Sequence, residues 1–278
     1  MAEIREKISM NRIDKCFKEL KLRNETGFIP FLTACDPTPA AAADIIVDLD
    51  KRGADVIELG FPYSDPIADG PVIQASYNRV LANGITTATI FDMVKEVRKR
   101  SEIPIVAMVS YSIVYRYGYK KFIEAAQNIG IDGATIPDLP VEEADKIFDI
   151  AKKNDFKIVC FVAPTTTDNR LDIITTRSEG FLYYIAVVGI TGTRKALPED
   201  LDENIKKLKN RTQCPVAVGF GVSTPAQAST VGKIADGVIV GSAIVKEIEK
   251  NKDLPVNSLI NNLGSFTEKL IRGAKGQS

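Results

Sequence analysis

The chain has 278 residues, in which 36 basic side chains balance 36 acidic ones and histidine is absent. Balanced charge gives no general attraction to nucleic acids or anionic membranes. The lack of histidine excludes Ser-His triads, histidine general bases and histidine-ligated zinc. The four cysteines have neither metal-ligand nor redox spacing, which favours reduced thiols. Residues 1–25 contain no apolar run typical of a signal peptide, and nothing later resembles a membrane span. We therefore expect a soluble, cytoplasmic protein.

Short apolar runs alternate with amphipathic segments along the chain. The first amphipathic segment, around Ile13, Phe17 and Leu20, predicts a helix that covers one end of the fold. The apolar runs that follow are often β-branched and lack polar alternation, as is typical of parallel strands buried on both faces. Eight strands are predicted, at Phe28–Thr33, Asp55–Leu59, Pro104–Val109, Gly133–Ile136, Lys157–Val162, Phe181–Ile185, Pro215–Gly219 and Gly237–Val240.

The segments between these strands predict helices. Thr38-Pro39 and Thr224-Pro225 are typical of helix starts, in which a capping side chain precedes a proline. Eight strand–helix units in a chain of this length favour a closed barrel over an open sheet. The sequence therefore predicts an α/β fold in which residues 1–278 form a single (β/α)8 TIM barrel domain with an additional N-terminal helix.

Carboxylates follow the second predicted strand. In a barrel of this kind, chemistry takes place at the carboxyl ends of the strands and in the loops after them. Glu58 shares one face of its strand with Val56, and a charge there is unfavourable unless it is paired or neutralised. The next loop, residues 61–71, carries Asp65 and Asp69 among three prolines that stiffen it. Glu58 and Asp69 are candidate acid–base groups. The alternatives are a Glu58 that only holds neighbouring backbone or an arginine, and an Asp69 that only forms an Asp-Gly turn.

Glycines follow the seventh and eighth strands, where barrels of this kind often bind phosphate. Gly219-Phe220-Gly221 ends one strand, and Gly241-Ser242 ends the other and opens a helix. Glycine lets an anion approach the backbone, and a helix N-terminus supplies free N–H donors. Tight turns use glycine as well, but two such turns at adjacent strand ends indicate a phosphorylated substrate.

Other chemistries lack the residues they need. An imine-forming aldolase needs a lysine at an inward strand position, and Lys157 lies at the wrong end of its strand. A zinc aldolase needs histidines. Magnesium held by Glu58, Asp65, Asp69 or Asp138 stays open, but no spacing demands it. The remaining interpretation is an enzyme without a cofactor, in which carboxylates perform acid–base catalysis on a phosphorylated substrate.

Several motifs together carry a family resemblance. The longest runs from Glu58 to Gln74 and reads ELGFPYSDPIADGPVIQ. The shorter ones are Pro30-Phe31-Leu32-Thr33 with Asp36-Pro37, Asp138-Leu139-Pro140, Gly189-Ile190-Thr191-Gly192, Gly219-Phe220-Gly221 and the run from Val240 to Lys246. In order and spacing, between about Phe28 and Lys246, the chain resembles the tryptophan synthase α subunit family.

This resemblance implies a lyase that cleaves indole-3-glycerol phosphate into indole and glyceraldehyde 3-phosphate by a retro-aldol reaction, with no cofactor on this chain. It implies that Glu58 is the main acid–base group and that Asp69 binds the indole N–H. Tyr183 matches a family tyrosine near the reacting end of the substrate, and Thr191 lies in a loop that closes over the site. The implied substrate-binding residues are Phe31, Val109, Ile136, Tyr183, Thr191 and Phe220, and the implied phosphate contacts are Gly192, Gly221, Gly241 and Ser242.

The resemblance also implies a partner, a tryptophan synthase β subunit that carries pyridoxal phosphate, in an α2β2 tetramer. We expect Asp65, Pro66 and Ile113, in the loops after strands two and three, to face it. The chain departs from the family where Ala186 and Val187 replace a frequent Ser-Arg pair and Ile113 replaces a frequent asparagine. These departures concern the closing loop and the docking of the partner.

Three alternatives stay open beside this interpretation. The chain could release free indole as a stand-alone lyase, or it could be a non-catalytic activator of a β subunit, against which Glu58 and Asp69 argue. A sugar-phosphate isomerase on a similar barrel would have few catalytic groups here, because histidine and a strand-end lysine are missing. The motif of the second strand does not fit that class either.

Overall fold

In the computed structural model, residues 10–66, 69–186, 198–219 and 221–277 are described. Within these ranges the core is a parallel sheet of nine strands in the order β5-β4-β3-β2-β1-β9-β8-β7-β6. The strands are β1 Gly27–Thr33, β2 Ile57–Gly60, β3 Ile105–Met108, β4 Gly133–Thr135, β5 Lys157–Ile158, β6 Cys160–Val162, β7 Leu182–Ile185, β8 Val216–Gly219 and β9 Gly237–Val240.

The sheet closes through the fifth predicted strand, which is divided at Val159 into β5 and β6. β5 pairs with β4, whereas β6 pairs with β7. The N–H of Val159 still donates to the carbonyl of Ala134 at 2.9 Å, so the strand continues across the division. The other strand boundaries lie within two residues of those predicted. The expected TIM barrel is confirmed, with its fifth strand in two pieces.

Helices surround the barrel, and the expected N-terminal helix precedes it. They are α1 Arg12–Arg23, α2 Pro39–Lys51, α3 Pro71–Ala82, α4 Thr87–Arg98, α5 Tyr111–Tyr117, α6 Tyr119–Asn128, α7 Asp145–Lys153, α8 Asp168–Arg177, α9 Leu201–Lys209, α10 Pro225–Gly232, α11 Ser242–Asn251 and α12 Val256–Ala274. The predicted caps are confirmed: Thr38 accepts from the N–H of Ala41, and Thr224 from that of Gln227, each at 3.2 Å. Among the described residues, none of the helices has the length and apolar character that a bilayer crossing requires.

The amino-terminal end of the barrel is closed by α1. Ile13 and Phe17 of this helix pack against inward side chains of the strands, among them Val106 and Phe181. Just before α1, the side-chain amide of Asn11 donates to the carbonyl of Asp132 at 3.0 Å. Burial of each such apolar side chain contributes about 1.5–3 kcal/mol, so this end of the barrel is a packed core.

The carboxyl-terminal end carries a ring of inward side chains. Successive residues of a strand point to opposite sides, and Leu59, Ala107 and Ala134 belong to the apolar layer between strands and helices. Their neighbours therefore point into the barrel. The inward residues nearest this end are Phe31, Glu58, Met108, Thr135, Phe161, Tyr183 and Gly219, as the pairings Phe31 with Glu58, Met108 with Thr135 and Phe161 with Tyr183 indicate.

Candidate active site

Glu58 points into the open end of the barrel from β2 and is only 2% exposed. One of its carboxyl oxygens, Oε1, has no hydrogen-bond partner among the described residues. Burial raises the pKa of Glu58 to about 8; the neighbouring charge of Asp69 adds to the rise, while a hydrogen bond from the Tyr183 hydroxyl opposes it. At neutral pH the Glu58 carboxyl therefore keeps a proton that it can deliver to a substrate.

Asp69 lies in the loop before α3 and is also buried. Its N–H donates to the carbonyl of Pro66 at 3.0 Å, and the Gln74 side-chain amide donates to the carbonyl of Asp69 at 2.8 Å. Gln74 also donates to the carbonyl of Pro66 at 3.2 Å, so it holds both ends of this turn. Oδ2 of Asp69 has no partner among the described residues, and burial raises the pKa of this carboxyl to about 6. At neutral pH Asp69 is mainly an anion that can accept a hydrogen bond.

A small apolar cluster lies beside these carboxylates. Phe31, Ile73, Tyr77 and Val245 are buried in it. The Tyr77 hydroxyl has no hydrogen-bond partner in the part of the chain that the structure describes. A Cβ atom on Gly60 would lie 2.4 Å from Cζ of Phe31 and 2.8 Å from the Tyr77 hydroxyl oxygen, so only glycine allows both rings to come this close.

The predicted pocket residues divide into two groups. Phe31 lies in the apolar cluster, and Tyr183 lies beside Glu58 with its ring centre 4.8 Å from that of Phe161. Val109 and Ile136, just beyond the ends of β3 and β4, are buried in the large apolar cluster that the strands share with the helices. Each comes one residue after an inward position, Met108 or Thr135, and a shift of one residue along a strand changes the side. Met108 and Thr135 therefore hold the inward positions at the ends of β3 and β4.

The predicted phosphate residues lie at the same end of the barrel. Gly241 precedes α11, Ser242 is its first residue, and Gly221 has a positive φ of 68°. A Cβ atom on Gly241 would lie 3.6 Å from Cβ of Phe31, which places this helix N-terminus beside the apolar cluster. The first N–H groups of a helix have no acceptor within it, so they are available to an anion. Thr191, Gly192 and Phe220, like Val187, lie outside the described residues.

A groove of about 1010 Å³ lies between the loop after β2 and helix α5, where this chain was predicted to face a partner. Asp65 and Ile113 both line this groove, whereas the Pro66 side chain is buried. Asp138 fixes one side of the groove, because it accepts from the Ser110 hydroxyl at 2.8 Å and from the Tyr111 N–H at 2.7 Å.

The carboxylates considered for magnesium do not converge. Asp65 accepts from Ser64 at 2.7 Å, and Asp138 holds the start of α5. Among the described residues, no group of three or more acidic or cysteine side chains has a geometry that could hold a metal ion.

Sequence reasoning missed three residues of this site, namely Gln74, Tyr77 and Thr135. Gln74 ends the long motif, but its two hydrogen bonds depend on the folded loop. Tyr77 follows Ile73 at helical spacing and was indistinguishable from an ordinary core aromatic. Thr135 lies in an apolar strand that has no polar alternation to mark its inward face.

Comparisons with known proteins identify the family of this chain. The family model "Tryptophan synthase alpha chain" matches residues 17–271. The tryptophan synthase alpha chain of Caldanaerobacter subterraneus subsp. tengcongensis is 45% identical over 241 residues, which cover 87% of this chain and 92% of that protein. That of Thermoanaerobacter sp. strain X514 is 41% identical over 94% of this chain and 98% of its own length.

Solved structures show the same fold. The crystal structure of tryptophan synthase subunit alpha from Legionella pneumophila str. Paris superposes with a TM-score of 0.88 at 34% identity, covering 96% of this chain and 100% of that one. A chain of tryptophan synthase from Mycobacterium tuberculosis gives a TM-score of 0.87 at 29% identity, over 96% and 99% of the two chains. The chain thus belongs to the tryptophan synthase alpha chain family, and it is a lyase that cleaves indole-3-glycerol phosphate in tryptophan biosynthesis.

Proposed function

We propose that Glu58 and Asp69 carry out the cleavage of indole-3-glycerol phosphate, with Glu58 as the acid–base group and Asp69 as the anchor of the indole N–H. The observation that carries this proposal is that both carboxyls are buried at the open end of the barrel, each with an oxygen that lacks a partner among the described residues. A buried polar group without a partner is unfavourable by about 1–3 kcal/mol, and a substrate atom would remove that penalty.

The two pKa shifts fit two different roles. Protonated Glu58 delivers its proton to C3 of the indole, and ionised Asp69 stabilises the positive charge that then develops on the ring nitrogen. The Glu58 carboxylate next removes the proton from the hydroxyl on the adjacent side-chain carbon. The bond from this carbon to C3 breaks, its electron pair returns to the ring, and indole and glyceraldehyde 3-phosphate result. The proton on Glu58 is thereby restored, and the reaction needs no cofactor on this chain.

Binding of the phosphate is assigned to Gly221, Gly241 and Ser242, because a helix N-terminus and a glycine backbone suit an anion. Gly192 completes this set by family pattern. Phe31 and Tyr183 line the indole pocket in this proposal, together with Phe220, Thr191, Val109 and Ile136 from the family pattern.

The proposed partner is a tryptophan synthase β subunit, which holds the pyridoxal phosphate of an α2β2 tetramer. The groove beside Asp65 and Ile113 is the docking face we infer for it. The loop of Asp65 continues directly to Asp69, so docking there can shift a catalytic carboxylate. In this proposal, residues 1–278 form one barrel domain in the cytoplasm. The free thiols of all four cysteines agree with a reducing compartment.

The function is tested by following indole and glyceraldehyde 3-phosphate from indole-3-glycerol phosphate, with and without a β subunit. We expect the two products in equal amounts and a faster reaction with the β subunit. Full activity without stimulation would support a stand-alone lyase, and no cleavage under either condition would contradict catalysis by this chain.

Docking is tested separately with Ile113→Asp, which puts a charge on the groove. We expect loss of stimulation by the β subunit and unchanged basal cleavage. Ile173→Asp is the control, because it places the same charge at an exposed isoleucine on another helix, α8. Unchanged stimulation in Ile113→Asp would place the interface elsewhere.

A further inference from the structure

Tyr77 of α3 is the largest fully buried side chain outside the roles assigned above, and it carries a polar atom. The residue has no exposed surface, and its hydroxyl lacks a partner among the described residues. A buried hydroxyl in a native protein is normally hydrogen-bonded. The Tyr77 hydroxyl is an exception, which a hydrogen bond formed only in the substrate-bound enzyme would explain.

The Tyr77 hydroxyl lies inside the mouth of the barrel. Gly60 and Glu58 are two residues apart on β2, so they face the same side, which is the barrel interior. A Cβ atom on Gly60 would lie only 2.8 Å from the Tyr77 hydroxyl oxygen. The tyrosine therefore reaches over the end of β2, from α3, onto the face that carries the catalytic carboxyl.

Several titratable groups face this hydroxyl. Asp69 comes from the loop before α3 and Glu58 from β2, and both charges raise the pKa of Tyr77, Asp69 more strongly. Tyr63 comes from the loop after β2, with its ring centre 5.8 Å from that of Tyr77. Tyr183 reaches Glu58 from β7. Burial and these charges hold the pKa of Tyr77 well above its usual range, so its hydroxyl keeps its proton and can donate a hydrogen bond.

The donor and a suitable acceptor are both unused. Tyr77 has a hydroxyl without an acceptor, and Asp69 has a carboxylate oxygen, Oδ2, without a donor. Gln74 lies between them in the sequence, on the first turn of α3, and its side chain already fixes the backbone of Asp69.

We propose that Tyr77 is a positioning residue, whose hydroxyl donates a hydrogen bond to Oδ2 of Asp69 in the substrate-bound enzyme. A carboxylate oxygen can accept two hydrogen bonds, so Oδ2 can accept from Tyr77 and from the indole N–H together, and the bond from Tyr77 keeps this carboxylate ionised and directed at the substrate. This inference rests on the proposed role of Asp69. Gly60 leaves room for this arrangement, because a larger residue there would displace the rings of Phe31 and Tyr77.

The first test is the pH profile of kcat/KM for Tyr77→Phe, which keeps the ring and removes the hydroxyl. Loss of the donor raises the pKa of Asp69, so the acidic limb moves to higher pH. We expect a loss of about 10-fold or more at pH 6 and a clearly smaller loss at pH 8, where Asp69 is ionised in both proteins. Tyr115→Phe, at an exposed tyrosine, is the control. An equal loss at every pH would overturn the inference, because it would indicate a purely structural role.

The second test measures substrate affinity in a Glu58→Gln background. Tyr77→Phe, Asp69→Asn and the double variant are compared by calorimetry. Groups that act together give non-additive effects, so we expect Tyr77→Phe to weaken binding when Asp69 is present and to add little in its absence. Full additivity would contradict the pairing. If Glu58→Gln still turns over substrate, the proposed function fails instead.

Discussion

The two ends of the barrel bury charged groups in opposite ways. At the amino-terminal end, Asp132 accepts from Arg12 at 2.9 Å, from Arg98 at 3.1 Å and from the N–H of Ile105 at 2.8 Å. At the carboxyl-terminal end, Glu58 and Asp69 each keep an oxygen without a partner among the described residues. The first arrangement gives both carboxyl oxygens of Asp132 a partner. The second leaves acceptors and donors for a ligand, at a cost in stability.

This difference teaches how one fold separates stability from function. Arg98 also donates to the carbonyls of Gly130 and Ile103, so the paired end ties together backbone from distant segments. At the open end, the hydroxyls of Tyr77 and Thr135 join the two carboxyls, since they too have no partner within the described part of the chain. We therefore expect substitutions at one end to change the free energy of unfolding, and those at the other to change the reaction.

The largest effect is expected from Glu58→Gln. The change keeps the shape of the side chain and removes proton transfer, which typically contributes about 100- to 10,000-fold to the rate. Indole release measures the loss, and circular dichroism checks the fold. Glu124→Gln, on the exposed side of α6, is the control and should behave as wild type. Turnover near the wild-type rate in folded Glu58→Gln would contradict the assignment.

Asp132→Ala should instead reduce the stability of the fold and leave the reaction unchanged. Removal of one partner of a buried ion pair leaves Arg98 uncompensated, which typically destabilises a protein by about 3–5 kcal/mol. Denaturant unfolding measures this loss, and indole release per folded molecule should stay unchanged. A variant of normal stability and reduced kcat would show that the two ends are not separate in this way.

A smaller effect concerns the pH dependence of stability. The pKa of Glu58 is raised to about 8 from its usual 4.5. A raised carboxyl pKa contributes stability that is fully present below the unfolded value and is lost as pH rises through the folded value. Compared with Glu58→Gln, wild type should therefore lose stability between about pH 5 and pH 8. Unfolding curves at several pH values measure the difference, and parallel curves for the two proteins would contradict the raised pKa.

The sequence was sufficient to predict the barrel, the N-terminal helix and the helix starts at Thr38 and Thr224, because these follow from local periodicity and capping. It also identified Glu58, since a carboxylate inside an apolar strand is conspicuous. The division of a strand at Val159 was not predictable, because it depends on the closure of the sheet. The partners of Asp132 were not predictable either, because Arg12 lies 120 residues away along the chain.

The inward residues of β3 and β4 show a further limit. The sequence placed Val109 and Ile136 in the indole pocket, but it did not single out Met108 and Thr135, which hold the inward positions of these strands. An almost entirely apolar strand has no polar alternation that reveals which face is which. Which residues of a strand point into the barrel depends on the register with the neighbouring strands, and only the folded sheet sets that register.

The central claim is that burial separates the two carboxyls into an acid and an anion, and the pH dependence of wild-type kcat/KM tests it most directly. Asp69 must be ionised, so activity should fall as pH decreases through about 6, and Glu58 must be protonated, so activity should fall as pH increases through about 8. The account predicts a bell-shaped profile with limbs near these two values. A rate that is constant from pH 5 to pH 9, or that rises above pH 8, would contradict it.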